Sequence, residues 1–439
     1  LKIHPNEERL GELVRSLGSD HQFLLQHLIQ CEPCRDRLLR LACSGAVPGR
    51  TSPKDYAQAF EAAARSLRNQ ACALAWEREA AGALLTELAA APAESREALL
   101  CDERFHTWGL FELLIDRAWE TSLQEPARAQ DLAGLALRLS DHLSPALYRP
   151  ELVEDLRARA WAYLGNARRL TSDLGGAEQA FAAAAVHLRK GTGDPIEKAI
   201  LLDREASLRR AQRRFAEALD CLTRAVGIFL RNGERHRAGR SLVNLSLVHS
   251  YAGSTAESIA ALFESLELLD AETDPRTLLC ARHNLAGYLV EAGRPREARR
   301  LFRGTSALYR GFPDAWTQSR RQWLQGRIDH ALGRLRPAEA SLRAARDGFL
   351  AEGIPYDTAL VSLDLALLYA EQGRTGELKR LAAGMIPIFA SCHIHREALA
   401  ALAFFRQAVE AEKADLDLIA RVAGYLRKAQ HDPEMRWEG

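Results

Sequence analysis

Apolar and polar positions along most of this chain follow the period of a helix, and they do so in pairs. In "NLSLVHSYAGSTAESIAALFESL", "NLAGYLVEAGRPREARRLF", "LQGRIDHALGRLRPAEASLRAA" and "DLALLYAEQGRTGELKRLA", two amphipathic stretches flank a short polar break. Glycines mark the breaks at Gly253, Gly293, Gly333 and Gly373, forty residues apart, and one period earlier stands Arg213 in "QRRFAEAL". A left-handed backbone residue at such a break lets a helix turn back on itself, which is why glycine is expected there.

Other positions keep the same register. Seven residues before each break come Ala206, Ser246, Ala286, Gly326 and Ala366, all small. Two residues further on are the apolar Leu208, Val248, Tyr288, Ile328 and Leu368. Sixteen residues after the break come the large Phe229, Leu269, Tyr309, Phe349 and Phe389. Small residues on one helix and large ones on its partner allow neighbouring hairpins to interlock. "GDPIEKA", "TDPRTLL", "FPDAWTQ" and "GIPYDTA" place Pro or Asp where the first helix of a unit should start. The pattern predicts an all-α array of antiparallel helix hairpins.

These positions resemble the tetratricopeptide repeat family, which has a small residue at its eighth position, Gly at the turn and Ala in the second helix. Ala218, Ala298 and Ala338 fit the last of these, whereas Ser258 and Leu378 depart from it. An upstream unit, "AWAYLGNARRLTSDLGGAEQAF", matches through Trp161, Leu164, Gly165 and Ala180, with a turn expected to be about three residues longer than usual. The forty-residue period exceeds the family's 34, which implies longer helices. Long repeats of this type resemble those of bacterial regulators that sense peptides or sugars. The resemblance covers roughly 150–430, and more loosely 105–145. It implies a right-handed superhelical solenoid whose first helices line a concave groove.

Upstream of the array, "SPKDYAQAFEAAARSLRNQACALAWEREAAGALLTELAA" reads as one long helix or two shorter ones, starting at Ser52 or Pro53. "CSGAVPGRTSP" (43–53) has the composition of a linker. The expected organisation is therefore a small module over 1–45, a linker and long helix or helices over 46–104, the array over 105–430, and a tail over 431–439.

The small module carries the sharpest local motif, "HLIQCEPCRDRLL", an H-x3-C-x2-C arrangement of His27, Cys31 and Cys34. Residues i and i+4 share a helical face, so His27 and Cys31 can address one point, and Cys34 can close on it. One imidazole and two thiolates suit structural Zn2+, which takes four N or S ligands. His4 is the expected fourth ligand, with His21 and Glu32 as alternatives. The module resembles the zinc-binding anti-sigma domain of bacteria through His4, His27, Cys31, Cys34 and Arg35, followed by "DRLLRLA". The resemblance implies a sigma factor as partner and spans about the first 45 residues. With so little core, such a module depends on its metal to fold.

Composition narrows the reading further. The 59 basic and 58 acidic residues give a net charge of +1, so no global field favours nucleic acid or an anionic membrane. No apolar run is long enough to span a bilayer, and no signal-peptide pattern opens the chain. The first residue is Leu1, which implies a start that was processed, trimmed or renumbered. Eight scattered cysteines fit reduced thiols in a cytoplasm better than a disulfide framework. No catalytic signature stands out: "GAVPGRT" has one residue too few between its glycines for a phosphate loop, and Arg50 where Lys is required. A non-enzymatic protein-binding role is therefore expected.

The binding residues are sought on the first helices. The family's groove-lining sixth position corresponds to Arg204, Asn244, Asn284, Leu324 and Asp364, with Arg240, Arg320, Arg327 and His330 on nearby groove-facing positions. Asparagine and arginine can clamp a peptide backbone or a carboxylate, so Arg204, Arg240, Asn244, Asn284, Arg320 and Arg327 are the candidate contacts for a peptide or protein ligand.

Overall fold

The computed structural model of the chain describes Leu10, Cys34, Arg37, Leu38 and residues 53–122, 125–390, 396–429 and 435–437. All regular structure among the described residues is helical. The chain divides into two compact units, Leu1–Asp194 and Pro195–Gly439.

In the first unit, α1 (Pro53–Ala90) is a single long helix, followed by the short α2 (Ala93–Leu99). Then come α3 (Trp108–Thr121), α4 (Pro126–His142), the single turn α5 (Pro145–Tyr148), α6 (Pro150–Leu170) and α7 (Leu174–Lys190). Gly109 brings α3 hard against α1: a Cβ there would stand 2.4 Å from the Glu77 carbonyl carbon. The Glu77 carboxylate accepts from the Tyr148 hydroxyl at 2.9 Å and from Gly109 N at 3.2 Å. Beside it, Arg78 grips Glu112 through two bonds, at 2.6 and 3.0 Å. Leu88, Phe105, Phe111 and Leu139 lie in the core between these helices. At the end of the unit the buried Asp155 accepts from Thr192 N at 3.1 Å and from the Thr192 hydroxyl at 2.5 Å, holding the loop after α7.

The second unit repeats with the period read from the sequence. First helices are α8 (Pro195–Ala211), α10 (Arg235–Tyr251), α12 (Pro275–Glu291), α15 (Ala315–Ala331) and α17 (Pro355–Glu371). Second helices are α9 (Phe215–Arg231), α11 (Thr255–Leu268), the broken pair α13 (Pro295–Gly304) and α14 (Ser306–Arg310), α16 (Leu335–Ala351) and α18 (Thr375–Ala390). Every first helix starts forty residues after the last and is 17 residues long, which is where the period's excess goes. α19 (Arg396–Glu410) and α20 (Leu416–Ala429) close the unit, with α20 packed on α17. In the expected tail, Met435 and Trp437 pack back: Tyr425 donates to the Met435 carbonyl at 2.9 Å and its ring lies 5.1 Å from that of Trp437.

The turns confirm the local reading. Gly253, Gly293, Gly333 and Gly373 have φ of 84°, 71°, 71° and 65°, and Arg213 takes the same conformation at 58°. In each turn the next amide reaches back to close the helix end, for example Ser254 N to the His249 carbonyl at 2.8 Å and Arg214 N to the Arg209 carbonyl at 2.8 Å. The small residues Ala206, Ser246, Ala286, Gly326 and Ala366 are all buried, and so are Ala218, Ser258, Ala298, Ala338 and Leu378. Phe229, Tyr309 and Phe349 are buried and Leu269 half-buried, while the Phe389 side chain lies outside the described ones.

The upstream unit corrects one expectation. Its turn is not lengthened. Only Thr171, Ser172 and Asp173 separate α6 from α7, and Ser172 supplies the positive φ, at 65°. Asp173 caps α7 by accepting from Gly176 N at 2.8 Å, and Asp173 N closes on the Arg168 carbonyl at 2.9 Å. Ala177, not Ala180, thereby takes the place of Ala218, and its carbonyl would lie 3.3 Å from a Cβ on Gly165. The glycine pair Gly175–Gly176 lies inside α7 and not at the turn.

Candidate binding face of the first helices

Adjacent first helices of the second unit are tied side by side through polar bonds with a common spacing. Asn244 donates to Asp203 at 3.2 Å, Arg276 to Thr317 at 2.9 Å and Trp323 Nε1 to Asp364 at 2.6 Å, while His330 bonds Glu371 at 2.7 Å. Each pair is 41 residues apart, so a residue meets the position one beyond its equivalent in the next repeat. Ser241 adds a second donor to Asp203 at 2.7 Å. These bonds fix the spacing of the helices and use up much of the polar capacity of the face.

The six expected contact residues divide accordingly. Asn244 is spent on Asp203. Arg327 donates to Glu291 at 3.0 Å, Arg240 lies 3.7 Å from the Asp274 carboxylate, and Arg204 is engaged within the fold. Arg320 and Asn284 differ. Both are half-buried, Arg320 has no hydrogen-bonded or ion-paired partner among the described residues, and the Asn284 amide makes no hydrogen bond among them. Of the neighbouring positions, Leu324 is buried core, Asp364 also receives Arg427 at 3.3 Å, and His330 is held by Glu371.

Around Arg320 the structure adds residues that the sequence reading passed over. Its guanidinium sits 5.0 Å from the Trp316 ring centroid, and Arg276 approaches the same ring at 5.7 Å and Phe312 at 4.8 Å. Arg210 lies 5.7 Å over Tyr251, again with no carboxylate partner among the described residues. His283 bonds the Tyr309 hydroxyl at 2.7 Å.

Electrostatics bind these groups into one neighbourhood. Burial, reinforced by the positive charges of Arg320 and Arg327, keeps the His283 imidazole well below its ordinary pKa, and hence neutral. Burial raises the Tyr251 phenol, against the pull of Arg210 and Arg320. Burial likewise pushes Tyr288 up to about 12, and lifts Tyr309 and the Cys280 thiol, each also within the field of arginines. The face thus carries neutral hydrogen-bonding rings beside permanently charged guanidinium groups. The missed residues had a signal: Arg210, Tyr251 and His283 stand in the forty-residue register at the twelfth, thirteenth and fifth family positions, the first two about two helical turns beyond the sixth and the last beside it.

Of the expected zinc ligands, Cys34 is described: it is helical and buried, with 2% of its surface exposed. That burial suits a structural ligand. His4, His27 and Cys31 lie outside the described residues, as do the alternatives His21 and Glu32. Among the described residues no group of three His, Cys, Asp or Glu is placed to hold a metal, and no helix is long and apolar enough to cross a membrane.

Comparison with known proteins places the fold. No family profile and no curated protein sequence matches the chain. Solved structures do match. A Rap protein complexed with competence and sporulation factor has a TM-score of 0.54 at 12% identity, covering 73% of this chain and 87% of that one. The apo form of the quorum sensor NprR from B. thuringiensis has a TM-score of 0.52 at 13% identity, over 73% and 92%. Aspartyl phosphate phosphatase F from Bacillus subtilis has a TM-score of 0.50 at 12% identity, over 90% and 96%. At such identities the likeness is one of fold: an all-helical, tetratricopeptide-like array.

Proposed function

We propose that this chain is a regulator that binds a peptide or protein on the first-helix face of its second unit and catalyses no reaction of its own. One observation carries the reading: among the described residues, the side chains of half-buried Arg210, Asn284 and Arg320 make no hydrogen bond, on a face much of whose polar capacity is tied between repeats. A half-buried polar group without a partner is unfavourable unless something else satisfies it, and a peptide backbone supplies both donors and acceptors. The fold is also that of a Rap protein solved with competence and sporulation factor and of the quorum sensor NprR. One neighbour is an aspartyl phosphate phosphatase, so fold alone does not carry the non-enzymatic part. That part rests on the sequence, in which no catalytic signature stands out.

Gly287 offers the test. It lies on α12 between Asn284 and Glu291, and a Cβ there meets only the Arg327 guanidinium, at 3.9 Å. Gly287→Phe should fill the face without disturbing the core. A random heptapeptide library passed over the immobilised full chain should yield bound sequences that Gly287→Phe no longer retains. Equal retention by the variant, or no retention above bare support, contradicts the reading.

The N-terminal 45 residues enter the same proposal as a docking module. His4, His27, Cys31 and Cys34 would hold one structural Zn2+, and the module would bind a sigma factor in the cytoplasm. The motif spacing and the burial of Cys34 support this. Metal analysis should give about one zinc per chain, lost in Cys31→Ser; a sigma factor that co-purifies with the parent and not with that variant supports the docking role. A chain that keeps its zinc but captures no sigma factor favours the alternative of a scaffold whose zinc module is structural.

A further inference from the structure

The carboxylates near the first-helix face are already committed. Asp274 is held by Arg240 at 3.7 Å and His236 at 3.9 Å, Asp314 by Arg276 at 3.5 Å, Glu291 by Arg327 at 3.0 Å and Glu371 by His330 at 2.7 Å. Among the described residues, Arg210, Arg282, Arg320 and Arg321 are half-buried arginines of the first helices with no carboxylate partner, Arg321 bonding Gln318 instead at 3.3 Å. Arg210 and Arg320 each face an aromatic ring: Arg210 lies 5.7 Å over Tyr251, and Arg320 lies 5.0 Å over Trp316. They come from different repeats, at the end of α8 and near the start of α15, yet the charge of each acts on the same phenol, Tyr251.

An arginine drawn partly out of water loses hydration, and a ring face returns only part of it, about 0.5–2 kcal/mol. A carboxylate returns more, through two parallel charge-assisted hydrogen bonds. Elsewhere on this unit the chain supplies that carboxylate itself, as Glu217 does for Arg214 through bonds of 2.6 Å each. At Arg210 and Arg320 it does not. The excess of positive charge is therefore local, on a chain whose net charge is only +1.

We infer that the ligand of this face is an acidic peptide segment, whose carboxylates are received by its unpaired guanidinium groups, Arg210 and Arg320 among them. The inference rests on the peptide-binding reading above and adds the sign of the ligand. The rings of Tyr251 and Trp316 lie beside the two guanidinium groups and restrict them, which lowers the side-chain entropy lost on binding. Asn284 lies on the intervening helix α12 and is free to address the peptide backbone.

Affinity selection with three randomised heptapeptide pools tests this: one rich in Asp and Glu, one in Lys and Arg, one in Asn and Gln. Each is offered to the full chain and to an Arg210→Gln/Arg320→Gln variant whose helix content by circular dichroism matches the parent. The acidic pool should be retained at least ~10-fold over the others, in keeping with charge-assisted bonds, and the double variant should lose that preference. Retention of neutral or basic peptides instead, or acidic retention that survives the double substitution, overturns the inference and leaves the peptide-binding face standing. Retention of no pool by the parent overturns both.

Discussion

His283 is the residue on this face whose charge state is most constrained. Its ring bonds Tyr309, and Arg320 and Arg327 lie close enough to oppose its protonation. The pKa is depressed in the folded state, so above the unfolded value near 6.5 both states are neutral and no penalty exists. As the pH falls below that value the unfolded chain binds a proton that the folded chain refuses. Stability should therefore drop by up to about 1.4 kcal/mol per pH unit until the folded pKa is reached. Denaturant midpoints at pH 7.5, 6.5 and 5.5 check this: His283→Gln should show a shallower decline than the parent. An identical decline would mean that His283 does not differ between the two states. At this scale the sequence was least informative. Asn244 and Asn284 look equivalent in the repeat, but only the first has an aspartate, Asp203, in the right place on the preceding helix. Which polar groups are spent on the fold depends on pairs 41 residues apart, a relation visible only once the helices stand side by side.

The helices themselves were legible because each rests on local chemistry that repeats. Small residues at the crossing and a left-handed turn recur forty residues apart, and both are decided within one hairpin. Where one of them was carried by an unusual residue, the reading slipped. Ser172 does what glycine does elsewhere, and matching Ala180 instead of Ala177 to the second-helix alanine made the turn three residues too long. The same reasoning separates two glycines of the first helices. A Cβ on Gly326 would lie 2.6 Å from Leu342 Cγ and 3.2 Å from its backbone nitrogen, because α15 and α16 cross closely there. Gly326→Ala should lower stability by about 1–2 kcal/mol, overpacking outweighing the gain in helix propensity. Gly287 has open space, so Gly287→Ala should raise stability, by up to about 1 kcal/mol. Chemical melts of the two variants check the pair, and shifts of the same sign would show that crossing distance is not what distinguishes them.

At the scale of the molecule, a helical array with a positively charged and aromatic face follows an N-terminal motif with zinc-ligand spacing. The array could be read from periodicity, and the motif from the order of His27, Cys31 and Cys34. The face could not be read in full, because Arg210, Tyr251, Cys280, His283 and Arg320 come from four different repeats and mean little until they are seen to share one neighbourhood. The central claim is that ligand is held on that face. Hydrogen–deuterium exchange of the full chain, with and without a saturating acidic heptapeptide selected as above, tests it most directly. Added protection should fall on α8, α10, α12 and α15, with the second helices α9, α11 and α16 unchanged. Protection on the second helices alone, or none in the unit Pro195–Gly439, would contradict the account.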